Sequence, residues 1–116
     1  DNDGDTDLLM FTIQGPPCLL RNDGGNQRSW LRVVPRLPNG QVALHALVTV
    51  KAGGLTQTQP VLGVNGYLGS NDPRPLFGLG DAARAEVVEI LWPDDTRRTL
   101  TDVPANQTLD VRPAVP

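Results

Sequence analysis

Every apolar run in this chain is closed within a few residues by glycine or proline, and that spacing limits what it can fold into. Leu8-Leu9-Met10-Phe11-Thr12-Ile13 stops at Gly15-Pro16-Pro17, Trp30 to Val34 gives way to Pro38-Asn39-Gly40, and Val42 to Val50 closes at Gly53-Gly54. Runs of this length are too short for helices and suit buried or half-buried strands. The 12 glycines and 11 prolines lie between the runs instead of in one low-complexity block, which is the pattern of a turn-rich all-β chain. With 116 residues, one compact core is expected.

Charge removes two classes of partner. The net charge is −3, and nine arginines and one lysine are scattered without a cluster, so neither nucleic acid nor anionic membrane meets a focused basic patch. No apolar run approaches the roughly 20 residues that would span a bilayer, so membrane insertion is not expected. Cys18 is the single cysteine and excludes an intrachain disulfide; it reads as a small buried apolar residue. His45 is the single histidine, stands in an expected strand without a carboxylate pair, and reads as structural.

The first seven residues carry the clearest ligand chemistry. In Asp1-Asn2-Asp3-Gly4-Asp5-Thr6-Asp7, alternating carboxylates around a glycine turn can converge on a hard cation that takes six to eight oxygens. The stretch resembles the calcium loop of FG-GAP/VCBS-type propeller repeats, Asp-x-Asp-x-Asp-Gly-x-x-Asp, in the register that places Gly4 on the motif's glycine. That resemblance implies Asp1, Asp3 and Asp7 as carboxylate ligands, Asp5 as a backbone-carbonyl ligand, and a first aspartate upstream of residue 1. The chain then reads as cut within the loop, and calcium binding is expected to be weak or lost. Strands at Leu8–Ile13 and Cys18–Arg21 resemble the last pair of a propeller blade, so residues 1–25 are expected to be the end of such a repeat. Two strands alone are marginal in water, so the hairpin needs something to pack against.

Asn22 to Arg28 is a polar linker, and a second domain is expected over 26–116. Trp30 reads as a core anchor or a seal at the domain junction. The Thr56-Gln57-Thr58-Gln59 stretch reads as a strand with a solvated face. Gly78 and Gly80 flank Leu79 so that the backbone can turn or approach closely while Phe77 and Leu79 point inward. Tyr67 offers a ring for burial. Asp81 to Ala85 is the one short helical possibility, leading into a strand whose Val88, Ile90 and Trp92 make a strongly apolar face. Glu86 and Glu89 fall on opposite faces of that strand, which argues against a shared acid–base role.

An ordered set of motifs in this region resembles the ASPIC/UnbV family: Val48-Thr49-Val50, Gly53-Gly54, Gln57 and Gln59, Gly66-Tyr67-Leu68, Phe77-Gly78-Leu79-Gly80 and Trp92-Pro93-Asp94. The likeness runs from about Trp30 to Val111. The chain departs from the family's pattern at His45 and Asp95, where glycine is usual, at Gly69 and Ser70, where serine and glutamine are usual, and at Leu76, where histidine is usual.

The expected architecture is an antiparallel, jelly-roll-like β-sandwich with a propeller-derived hairpin at its N-terminus. The resemblance implies a secreted, periplasmic or cell-surface module without catalysis, calcium-stabilised, that binds another protein or joins a larger assembly. Asn71-Asp72-Pro73-Arg74-Pro75 is a stiff loop, and Asn71, Asp72 and Arg74 are its candidate partner-binding residues. A carbohydrate-binding module is the alternative and requires Trp30 or Trp92 exposed beside carboxylates; a third reading is an accessory domain of a secreted enzyme.

Overall fold

A computed structural model describes residues 1–114, so the last two residues of the expected second domain lie outside the described residues. Among the described residues nine strands form: β1 (Leu8–Met10), β2 (Cys18–Leu20), β3 (Ser29–Pro35), β4 (Leu47–Ala52), β5 (Leu55–Pro60), β6 (Leu76–Gly80), β7 (Arg84–Leu91), β8 (Arg97–Pro104) and β9 (Gln107–Val111). A single 3-10 turn, Gly25–Gln27, interrupts the linker. β1 and β2 pair as a separate hairpin, while β6-β3-β9 and β5-β4-β7-β8 form three- and four-stranded sheets.

The two larger sheets share one core, as an all-β sandwich requires. Leu31 and Val33 of β3, Phe77 and Leu79 of β6 and Val111 of β9 meet Val48 and Val50 of β4 and Val88 and Ile90 of β7. The strand period of two explains the choice: in β4, Val48, Val50 and Ala52 face inward, and Leu47 and Lys51 face out. Trp92 is 2% exposed, and its indole N–H donates to the Arg36 carbonyl at 3.0 Å, so the ring is buried without an orphaned donor.

One pairing departs from the expected antiparallel pattern. β9 runs parallel to β3, because the short Ala105-Asn106 corner carries the chain from β8 in one sheet to β9 in the other. Asn106 fixes that crossing. Its backbone N–H donates to the Trp30 carbonyl at 2.6 Å, and its side-chain oxygen accepts from the Trp30 N–H at 3.1 Å.

The glutamines of β5 do more than face solvent. Gln57 Nε2 donates to the Gly78 carbonyl at 2.7 Å, and Gln59 Nε2 donates to the Leu76 carbonyl at 2.9 Å. Two side-chain amides thus bridge the edge of the four-stranded sheet to the edge of the three-stranded one, where no backbone ladder runs. Such cover occupies edge acceptors that otherwise invite pairing with another chain.

Several local expectations change. Cys18 is exposed rather than buried, and Leu9, Phe11 and Leu19 of the same β1–β2 hairpin are exposed with it. The first expected strand also ends at Met10, short of Ile13. Asp81 to Ala85 holds no helix: Gly80 turns at φ 61°, and β7 starts directly at Arg84. Gly78 has neither a positive φ nor a close neighbour, and its contribution is the carbonyl that Gln57 reaches. The strand expected from Val42 begins only at Leu47, with exposed His45 in the preceding turn.

His45 and Asp95 share a backbone geometry. Their φ angles are 68° and 64°, in the left-handed region that suits glycine. Tyr67 is 95% exposed rather than buried, and it projects with Leu68 from a turn closed by a Gly66–Gly69 bridge.

Candidate functional site

The outer face of β3 organises the site. Trp30, Arg32 and Val34 point away from the shared core, and the N-terminal acidic loop reaches Trp30 through Gly4 and Arg32 through Asn2. The contact at Gly4 is close enough that a Cβ there would sit 2.0 Å from Trp30 Cε2. Trp30 therefore seals the junction between the hairpin segment and the sandwich, as the sequence reading expects. Neither tryptophan offers a free ring: Trp92 is in the core, and Gly4 packs against Trp30.

Between this loop and the 62–75 segment lies a cavity of about 620 Å³. Asp1, Asp5 and Asp7 line one side, Asn71, Asp72 and Arg74 line the other, and Arg32 lies in its wall. The two groups of residues singled out by sequence thus come together in one place, although more than 60 positions separate them in the chain. Asp3 is not among the lining residues: Asn26 Nδ2 donates to its Oδ2 at 2.8 Å and to its carbonyl at 3.2 Å.

Asn2 joins the two sides. Its Oδ1 accepts from Arg32 Nη1 at 3.1 Å and from Arg74 Nη2 at 3.0 Å. Arg74 is also held by Asp72, with Nε donating to the two carboxylate oxygens at 2.9 and 3.0 Å. The guanidinium beside Asp72 keeps that carboxyl below the usual carboxylate range. Asn2 and Arg32 were not among the site residues that sequence reasoning selects. An arginine amid the apolar residues of β3 was the available signal.

The acidic loop is satisfied mainly by N–H donors. Gly25 N–H donates to Asp5 Oδ2 at 3.0 Å and Asn22 N–H to Asp7 Oδ1 at 2.8 Å. Desolvation and then the neighbouring Asp3 raise the Asp5 pKa. Asp5 is 8% exposed, and its Oδ1 has no hydrogen-bond partner. That orphaned oxygen suits a cation, but the rest of the arrangement does not: among the described residues no three carboxylate, histidine or cysteine side chains stand close enough together to hold a metal ion.

The fold and cavity define a β-sandwich module with a polar, charged site where an N-terminal segment crosses the smaller sheet. Residues 38–115 match the family model described as ASPIC and UnbV, and the chain belongs to that family. It is 34% identical over 119 residues to Cartilage acidic protein 1 of Mus musculus, an alignment covering 96% of this chain and 18% of that protein. The Homo sapiens protein of the same name is 37% identical over 100 residues, 81% of this chain and 15% of the relative. That of Xenopus tropicalis is 32% identical over 119 residues, again 96% and 18%. The chain therefore spans less than a fifth of the length of these relatives. Among the described residues no helix is long and apolar enough to cross a membrane.

Proposed function

We propose that the chain is a non-enzymatic, extracytoplasmic interaction module that presents the cavity and the 62–75 segment to a protein partner, or to the remainder of a larger assembly. The observation that carries this reading is the meeting of the acidic loop with Asn71, Asp72 and Arg74 around one cavity. Val64, Tyr67 and Leu68 add exposed apolar surface on the same segment, as anchors of a protein contact commonly do. Relatives named for cartilage support a setting outside the cytoplasm.

Residues 1–25 act in this reading as the end of an FG-GAP-type repeat whose acidic loop stiffens the join. Calcium binds there weakly, because the ligands must first exchange their N–H donors for the ion. The carbohydrate alternative gains nothing from the rings, since Trp92 is buried and Trp30 packs on Gly4.

The test is a pull-down from native extract with and without calcium, using the chain extended by its upstream repeat. Stoichiometric retention of one protein, lost when Asp72 and Arg74 are both changed to alanine, is expected. Retention of polysaccharide in its place overturns the reading in favour of a carbohydrate module.

A further inference from the structure

Arg32 is an anomaly among the arginines. Arg21, Arg36, Arg74, Arg84 and Arg97 each hold a carboxylate within salt-bridge distance, and each is at least 30% exposed. Arg32 is only 6% exposed, and among the described residues no carboxylate lies within salt-bridge distance of it; Asp72, near enough to feel its charge, is itself engaged by Arg74. Its Nε has no partner, and its one hydrogen bond runs from Nη1 to the neutral amide oxygen of Asn2. A cation removed from water normally keeps a counter-charge, because desolvation otherwise outweighs a single neutral hydrogen bond. This one lies in the wall of a cavity large enough for several side chains.

We propose that the cavity accepts a single carboxylate, anchored by Arg32 and carried by an aspartate or glutamate on an extended segment of a protein partner. The proposal deepens the interaction reading given above and rests on it. Leu8, Leu9, Leu62 and Leu76 line the same cavity as the arginine, which suits a peptide with apolar neighbours flanking its acid. No aromatic ring lines the cavity for a sugar to stack on. Asp1, Asp5 and Asp7 repel any negative charge that is not seated directly on Arg32, and Arg74 is already neutralised by Asp72. The site thus selects one acidic group over a polyanion.

The planar guanidinium can meet a carboxylate with two parallel N–H donors, a geometry lysine cannot reproduce. Asn2 holds Nη1 in place until the acid arrives and competes for it afterwards.

The test is a titration of the isotope-labelled chain, followed by NMR, with the peptide acetyl-Ala-Leu-Glu-Leu-Ala-amide, its glutamine counterpart, and glucuronate. The Glu peptide is expected to bind at least tenfold more tightly than the Gln peptide, shifting the Arg32 Nε–H signal and the amides of residues 71–74. Arg32→Met removes that preference, and Arg32→Lys restores only part of it. Should Arg32→Met fail to fold, Asn2→Ala releases Nη1 and strengthens Glu-peptide binding by a few-fold. Equal binding of the Glu and Gln peptides overturns the proposal, as does an Arg32→Met protein that still prefers the acid. Glucuronate binding as tightly as the Glu peptide transfers the carboxylate to a sugar acid and overturns the peptide assignment. Partner retention in the pull-down that survives Arg32→Met leaves the interaction module standing and removes Arg32 from it.

Discussion

Gly4→Ala tests the junction on which the site depends. A Cβ at this position lies 2.0 Å from Trp30 Cε2 and 2.2 Å from Nε1, and an indole ring has no flexible end to move aside. The φ of 110° adds backbone strain of about 1–2 kcal/mol for an L side chain. Lifting the loop breaks the bonds from Arg32 and Arg74 to Asn2, roughly 1 kcal/mol each. Relieving about 1–2 kcal/mol of strain plus a severe overlap therefore competes with about 2 kcal/mol of hydrogen bonding, and the overlap decides it: the loop undocks. The core side chains stay in place, so the loss is capped by the docking contacts, about 2 kcal/mol, and the melting temperature should fall by no more than about 8 °C for a domain of this size. Tryptophan emission should shift to the red and become accessible to iodide, and a Trp30→Phe background, which leaves only Trp92, should abolish both changes. A Gly4→Ala protein with parental emission and quenching would refute the docking of the loop on Trp30.

Other changes probe the core, the seam, the turns and the charges. Phe77→Ala empties a fully buried position and should cost about 3–5 kcal/mol in urea unfolding. Replacing Gln57 and Gln59 together by alanine should cost about 1–2 kcal/mol, with a concentration-dependent loss of monomer in light scattering, whereas Thr56→Ala should do neither. His45→Gly relieves left-handed strain of about 1–2 kcal/mol against a chain-entropy cost of about 0.5–1 kcal/mol, so a gain of a few tenths in thermal or urea melts is expected. Because Arg74 lowers the folded-state pKa of Asp72, the pair's stabilisation is present above the ordinary carboxylate pKa and fades as pH falls through the lowered value; Asp72→Asn should flatten that acid limb in a pH series of melts. Calcium titrated into this chain should bind more weakly than micromolar by calorimetry, and sub-micromolar affinity would contradict the chosen loop register.

The strands were legible because their side chains obey the period of the pleat. Val88, Ile90 and Trp92 alternate with half-buried neighbours in sequence and are buried in the fold, and Phe77 and Leu79 do the same around Gly78. Features decided by distant partners were hidden. Tyr67 has a ring that usually finds a core, yet the 62–72 segment carries it into solvent. Leu9 and Cys18 look like core residues to a period-two reading, which cannot report that no further strand pairs with their hairpin among the described residues. The acidic residues and the Asn71–Arg74 loop were recognisable as candidates, but only the return of the N-terminus across β3 joins them. Asn2, which binds both arginines, carries no local mark at all.

The amide bridge between β5 and β6 also makes the sandwich sensitive to chemical ageing. Hydrolytic loss of ammonia from Gln57 or Gln59 turns a donor into a carboxylate that faces the carbonyl oxygen of Gly78 or Leu76. An attractive contact becomes a repulsive one with a mass change of about one dalton and no broken backbone bond. A protein that persists for long periods outside the cell would accumulate such molecules, each with one sheet edge unfastened and the rest of its fold intact.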